Sequence, residues 1–377
     1  MGFDLLVGQE RAVRVLRSAL VRARVAHAYL FAGPGSVGKH TAAVLFAQAL
    51  NCEGEPADAP CGQCRSCLLI EHGNHPDVRL FTISADMRGR QRSEISIDQI
   101  RQDPKKPRET PPPLIHDAYL KPLGRHKVYI IDPADRMTPE ASNALLKVLE
   151  EPPPQVALIL VSSEPSSLLP TIVSRCQKVT FQLVGTRAIE GKLRQDGLEA
   201  ETAAAIARLS GGRIGWAIQA SRRNEVLAVR RSLLDLCSGM IGASLPASLR
   251  IAEQIKHQAS RLALAKLQPP AESEEGEQDR ETPAVPSGGD RAIRSELPWC
   301  LDVMVSWYRD LLAAGQGAPL LNLDYESALT QQRQPGFDRQ AECAIESILE
   351  TKHSIERNAN VDLALESLVT GLVAWCD

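Results

Sequence analysis

Aromatic side chains make up only 4% of the 377 residues, and 43 Lys and Arg nearly balance 46 Asp and Glu, leaving a formal net charge of -3. Without a basic excess, the chain as a whole is not a basic nucleic-acid binder, so any contact with DNA must be local or shared. Long apolar runs are missing too. Val156–Val161 is as long as any, far short of the ~20 residues a membrane helix needs, so no membrane is expected. The opening residues Met1–Leu6 lack the basic region and apolar stretch of a secretory signal, and Leu6 stands where a myristoylation site takes Ser or Thr. The expected location is the cytoplasm. What is present, 44% hydrophobic and 24% charged residues, describes a globular chain, neither fibrous nor mainly disordered. Its length exceeds one ordinary core and suits two or three domains.

Nine cysteines are an awkward number for a disulfide framework, and four of them cluster as Cys52-x8-Cys61-x2-Cys64-x2-Cys67. In a reducing compartment this spacing points to metal, because four thiolates can close tetrahedrally around Zn²⁺. With no open position the site would be structural, replacing a hydrophobic core that so short a loop cannot build. The plainer alternative is a set of free thiols. His72 and His75 lie nearby but are expected as surface residues, since four sulfurs already satisfy the metal.

Along residues 1–184 strand-like and helix-like segments alternate, which predicts a mostly parallel sheet with helices on both faces. The strands are expected at Ala28–Ala32, Val78–Phe81, Val128–Ile131, Val156–Val161 and Val179–Phe181. A helix is predicted over Pro139–Glu151, with Thr138 as N-cap, Pro139 in the first position, and Pro152 to Pro154 ending it. The cysteine module occupies 51–72. From Thr186 the strand signals stop, and helical periodicity broken at Gly211-Gly212 predicts a small helical domain over 185–240. A second helical domain is expected over 241–377. Its segment 268–292 is acidic and poor in large apolar residues, hence expected to be disordered. Pro104–Pro113 reads as an exposed loop.

Gly33-Pro34-Gly35-Ser36-Val37-Gly38-Lys39-His40 follows the first strand and opens a helical stretch, Thr41–Leu50, which is the setting of a P-loop. Backbone N–H groups of such a loop cradle phosphates, and Lys39 would reach the terminal ones. One position departs from the pattern. Where Ser or Thr would bind Mg²⁺ the chain has His40, and Mg²⁺ prefers hard oxygen ligands. Thr41 lies ~100° further round the helix and should point elsewhere. Val128–Ile131 ends in Asp132, a carboxylate placed to hold a metal ion, but the next residue is Pro133, which cannot activate water. Asp135 is expected to cap a turn or face solvent.

These motifs together resemble the clamp-loader AAA+ proteins of bacterial DNA polymerase III. The likeness is carried by Val7-Gly8-Gln9, His27 to Phe31, the P-loop, the four-cysteine insert, Asn143 to Pro153, Ser174-Arg175-Cys176 and the closing Asn358 to Glu366. It implies an α/β AAA+ P-loop domain, a helical lid, and an all-α C-terminal collar through which subunits assemble. It implies that Arg175 acts in trans as an arginine finger in a neighbour's ATP site. It gives Gly33, Gly38, Lys39, His40, Asp132 and Ser162 as a degenerate nucleotide site, with Ser162 in the sensor 1 place. Gly215 then stands where motor subunits carry the sensor 2 arginine, and Arg213 is two places off.

The resemblance therefore implies a stator with no ATPase of its own inside a DNA polymerase holoenzyme. Its partners would be the motor subunits (gamma and tau), delta, the sliding clamp and primed DNA, touched through shared backbone contacts, in a hetero-pentamer. Whether ATP or ADP enters its own pocket stays open. Two rival readings remain at this point: an active AAA+ motor, supported by the intact Gly33–Lys39 cradle, and a zinc-stabilised binding module that activates nothing.

Overall fold

A computed structural model describes residues 2–55, 57–83, 94–101, 112–240, 244–267, 289–318, 320–332 and 337–374. In chain order its elements are α1 (Glu10–Val21), β1 (Ala28–Ala32), α2 (Lys39–Asn51), α3 (Arg65–Glu71), β2 (Val78–Phe81), α4 (Ile97–Ile100), α5 (Leu114–Ala118) and β3 (Lys127–Ile131). There follow α6 (Pro139–Glu150), β4 (Val156–Ser162), α7 (Pro170–Val173), β5 (Gln177–Thr180), α8 (Thr186–Gln195), α9 (Ala200–Leu209) and α10 (Ile214–Ser221). The remaining helices are α11 (Asn224–Met240), α12 (Leu245–Leu267), α13 (Gly289–Gln316), α14 (Glu326–Gln332), α15 (Phe337–Glu356) and α16 (Val361–Ala374).

The five strands form one parallel sheet in the order β2-β3-β4-β1-β5. Because successive strand residues face opposite sides, β1 sends Tyr29 and Phe31 into one apolar layer, with Phe46 of α2 and Leu16 of α1. It sends Ala28, Leu30 and Ala32 into the other, with Leu145, Val148 and Leu149 of α6. Burial on both faces explains why β1 and β4 read as unbroken apolar runs. Helices on both faces of a parallel sheet, then helices alone, give the α/β architecture expected, and the predicted cap holds: Thr138 accepts from Ala141 N–H at 3.2 Å.

Several element boundaries differ from expectation, most by a residue or two: α2 runs from Lys39 to Asn51, α6 stops at Glu150 and β4 at Ser162. β3 starts at Lys127, not Val128, because Lys127 is buried and paired with Asp117 Oδ1 at 3.0 Å. β5 starts at Gln177 and stops at Thr180, an edge strand whose exposed Gln177 and Lys178 hide the strand signal. α13 begins at Gly289, so 289–292 are helical where disorder was expected; residues 268–288 of that segment lie outside the described residues, as do 104–111 of the Pro-rich stretch.

Two compact units divide the chain, Met1–Ile218 and Gln219–Asp377. The first holds the sheet and, after it, α8, α9 and the start of α10. The second is helical, with Trp307, Leu301 and Met304 of α13 fully buried. Within it Arg230 of α11 is buried and forks onto Asp324 Oδ1 (2.7 Å) and Asn322 Oδ1 (2.7 Å). Asn322 is held in turn by Asp310. Among the described residues no helix is long and apolar enough to cross a membrane.

Candidate functional site

In open parallel sheets ligands bind beyond the carboxyl ends of the strands, and there β1, β3 and β4 deliver the P-loop, Asp132 and Ser162. The turn after β1 demands glycine at Gly33: its φ is +154°, and a Cβ would lie 2.3 Å from Phe181 O. The loop thus forms, but Lys39 does not reach outward from it. Its Nζ donates to Gly33 O at 2.6 Å, to Pro34 O, and to Ser163 Oγ at 3.1 Å. An ammonium has three hydrogens, so all are taken by the protein itself. Burial lowers the Lys39 pKa, and the Asp132 and Asp135 carboxylates pull the other way.

The metal position is filled by a side chain. His40 Nδ1 lies 2.7 Å from Asp132 Oδ2, joining the residue that replaces the Mg²⁺-binding hydroxyl to the carboxylate that would hold the ion. Asp135 accepts from Ser163 N–H at 2.9 Å and so fastens the loop after β4, where a cap of its own turn or a solvent-facing side chain was expected. Ser162 is fully buried and its hydroxyl accepts from Glu164 N–H at 3.1 Å. It is the adjacent Ser163, not Ser162, whose hydroxyl faces Lys39. β4 ends at Ser162 and the chain bends at Ser163, so one place separates a buried hydroxyl from one in the pocket.

Gly215 at the start of α10 lies directly against the loop. Its N–H donates to Ser36 O at 2.7 Å, and a Cβ there would sit 2.9 Å from that same oxygen. Arg213 is exposed and outside the helix. No arginine side chain fits at 215 while this contact exists.

Arg175 stands on the surface after α7. Its Nη1 donates to Thr171 O at 3.0 Å and its Nη2 to Glu150 Oε1 at 2.9 Å. The guanidinium, 36% exposed, is held by one carboxylate and keeps donors free on its outer side. Next to it Cys176 is turned inward, where burial pushes its thiol up to about 12.

The four clustered cysteines meet. The Sγ atoms of Cys52, Cys61, Cys64 and Cys67 all lie within 4.8 Å of one another, and Cys61 and Cys67 are 4.0 Å apart. Zn–S bonds of ~2.3 Å set tetrahedral sulfurs roughly 3.8 Å apart, so the set fits a four-coordinate metal. Backbone N–H groups of Gln63 (3.5 Å) and Cys64 (3.3 Å) point at Cys61 Sγ, and that of Cys67 at Cys64 Sγ (3.4 Å). Such donors stabilise thiolates. His72 is exposed, as expected. His75 is not a surface residue: it is buried, its Nδ1 accepting from Asp77 N–H at 3.2 Å.

A family model described as DNA polymerase III, delta subunit, matches residues 8–184. The chain is 29% identical over 365 residues to DNA polymerase III subunit delta′ of Bacillus subtilis, covering 96% of this chain and 95% of that one. The chain is thus similar to a delta′ subunit along nearly its whole length. It is also 38% identical over 193 residues to B. subtilis DNA polymerase III subunit tau, but spans only 31% of that protein's length. Among solved structures, a DNA polymerase III gamma subunit-related protein from Thermotoga maritima is 17% identical with a TM-score of 0.40, covering 97% of this chain and 100% of that one.

Sequence reasoning missed two positioning residues. Glu150 was visible only as part of the Asn143–Pro153 stretch, with no sign that it would meet Arg175. Gln9 was visible only as part of Val7-Gly8-Gln9. It is buried and joins the P-loop to the end of the sheet, donating to Gln182 O at 2.7 Å and Val37 O at 3.2 Å while accepting from Gln182 N–H at 3.1 Å. A buried amide flanked by a glycine turn is the only local hint.

Proposed function

We propose that this chain is a non-motor stator of the DNA polymerase III clamp loader. Arg175 completes the ATP site of a neighbouring gamma or tau subunit. One observation carries the reading: the chain's own lysine, metal position and lid contact are all occupied by its own atoms, while Arg175 is exposed and oriented by Glu150. A guanidinium supplied in trans stabilises charge on the transferring phosphoryl group and is worth ~10³ to 10⁵ in rate. A subunit that does not turn over ATP can therefore control turnover next door.

In this reading the chain sits with the motor subunits and delta in a five-membered arc. Residues 185–240 serve as a lid and 241–377 as the collar. The arc opens the ring-shaped clamp and sets it on primed DNA, in the cytoplasm at the nucleoid. The four cysteines would hold Zn²⁺, which supplies a structural cross-link and no catalysis. In this reading its own pocket hydrolyses nothing, for Pro133 offers no base and His40 no metal-binding hydroxyl. The active-motor alternative keeps only the Gly33–Lys39 loop in its favour.

The test is reconstitution with the motor subunits and delta. Arg175→Ala should assemble normally yet lower DNA-stimulated ATPase and clamp loading. Unchanged ATPase in the assembled complex would remove the finger role, and steady Mg²⁺-dependent turnover by the isolated chain would favour the motor reading.

A further inference from the structure

Just ahead of the P-loop in sequence, α1 carries a charge pattern that its own stability does not explain. Arg11, Arg14, Arg17 and Arg22 fall on it or at its end, Arg24 follows, and all five are exposed. Only Arg17 is paired, with Asp4 Oδ1 at 3.2 Å; among the described residues the other four have no acidic partner. Arg11 sits in the first turn, where the helix macrodipole disfavours a cation. Like charges three places apart, as at Arg11 and Arg14, weaken a helix further. The arrangement opposes helix formation locally, so its use lies outside the helix.

The four unpaired arginines line one open groove of about 760 Å³, together with Ser18 and Gln177 of the edge strand β5. No carboxylate and no aromatic side chain lines it. Arg11 to Arg22 spans roughly 16 Å at 1.5 Å per residue, a row that matches an extended polyanion better than a single phosphate. Guanidinium groups fork onto phosphate oxygens, and Ser and Gln add neutral donors to the same atoms. The missing aromatics leave no platform for base stacking, so recognition would be of backbone alone.

We infer that the α1–β5 groove binds the phosphodiester backbone of DNA without regard to sequence, giving a chain of net charge -3 a local cationic track. This deepens the reading of the chain as a DNA polymerase III subunit and does not involve Arg175.

The test uses the full-length chain and a fluorescent 30-nucleotide DNA strand, titrated at several salt concentrations. Arg14→Gln with Arg22→Gln should weaken binding at least tenfold and reduce the salt slope by about 1.4, since each single-strand phosphate contact contributes about 0.7. Arg11→Gln with Arg24→Gln should act alike. The control pair Arg187→Gln with Arg194→Gln, exposed arginines of α8, should change little, and no variant should melt below the parent. Equal loss in the control pair, or no loss in the groove variants, overturns the proposal. So does displacement of the strand by poly-glutamate as effective as by unlabelled DNA of equal charge, which would assign the groove to acidic peptides. Because Arg175 is intact throughout, a failure here leaves the neighbour's ATPase to be judged separately.

Discussion

His40 Nδ1 and Asp132 Oδ2 are 2.7 Å apart, so the side chain that stands in place of the metal-binding hydroxyl also engages the carboxylate that would share the ion. Nucleotide affinity should then be indifferent to magnesium: titration of the chain with a fluorescent ATP analogue is expected to give the same curve with Mg²⁺ and with EDTA. His40→Ser frees Asp132 and restores an oxygen ligand, and should make the affinity Mg²⁺-dependent. It should not create turnover, because Pro133 still supplies no base. Steady phosphate release by the variant at a motor subunit's rate would contradict this account of the pocket.

Arg175 and Glu150 make the second prediction. Arg is planar and forks onto phosphate, whereas Lys is a point charge on a flexible stem. Arg175→Lys should therefore fail to restore the neighbour's ATPase, falling ~10³-fold or more with Arg175→Ala if the trans guanidinium is worth what such groups usually are. Glu150→Gln keeps an acceptor but drops the charge that holds Nη2 at 2.9 Å, and a several-fold loss with normal assembly is expected. ATPase assays on the reassembled complex measure both.

What the sequence disclosed follows from how local each signal is. β1, β4 and α6 announce themselves through apolar runs and through Thr138 and Pro139, all set by neighbours a few residues away. The vacancies at His40, Pro133 and Gly215 are legible as departures from a short pattern. Not legible is anything set by pairs distant in the chain. Ser163 rather than Ser162 faces Lys39 because the chain bends out of β4 after Ser162, toward the turn that follows β1. His75 is buried beside Asp77, whose carboxylate accepts from the N–H groups of Leu123 and Gly124 far along the chain. Gly215 needs to be small because Ser36, far earlier, presents a carbonyl to it. The α1 arginines are countable in the sequence, but that they share one groove with β5 is a product of the sheet order.

The cysteine cluster gives a chemical test with a definite sign. N–H groups of Gln63 and then Cys64 draw the Cys61 thiol down from 9.0 to about 6 in the metal-free chain, whereas burial pushes Cys67 up. A thiol depressed on folding adds stability above the unfolded value, and loses it as pH falls through about 6. After metal removal Cys61 should be the first of the four to alkylate at pH 7, with Cys67 resistant; with metal bound all four should be protected. Metal analysis should give one zinc per chain. Cys67→Ser should lose it and lower the melting midpoint, by about 2–4 °C for each kcal/mol lost. A metal-free native chain whose four thiols react alike would refute the site.

Lys127 and Asp117 supply a stability prediction far from the P-loop. Lys127, 4% exposed, meets Asp117 Oδ1 at 3.0 Å, and Tyr129 OH donates to Asp117 Oδ2 at 2.7 Å. Burial is the main reason the Tyr129 hydroxyl titrates far above its ordinary range, and the Asp117 carboxylate adds to it. Removing one partner of a buried ion pair leaves a charge uncompensated and typically costs about 3–5 kcal/mol. Lys127→Met should approach that cost in urea unfolding, softened by Arg79, whose Nη1 lies 3.9 Å from Asp117 Oδ2. The double variant Lys127→Met with Asp117→Leu should recover much of the loss, because two apolar residues leave no unpaired charge. If the double variant is as unstable as the sum of the singles, the pair holds β3 to α5 through packing alone, and charge pairing is not why β3 begins at a lysine.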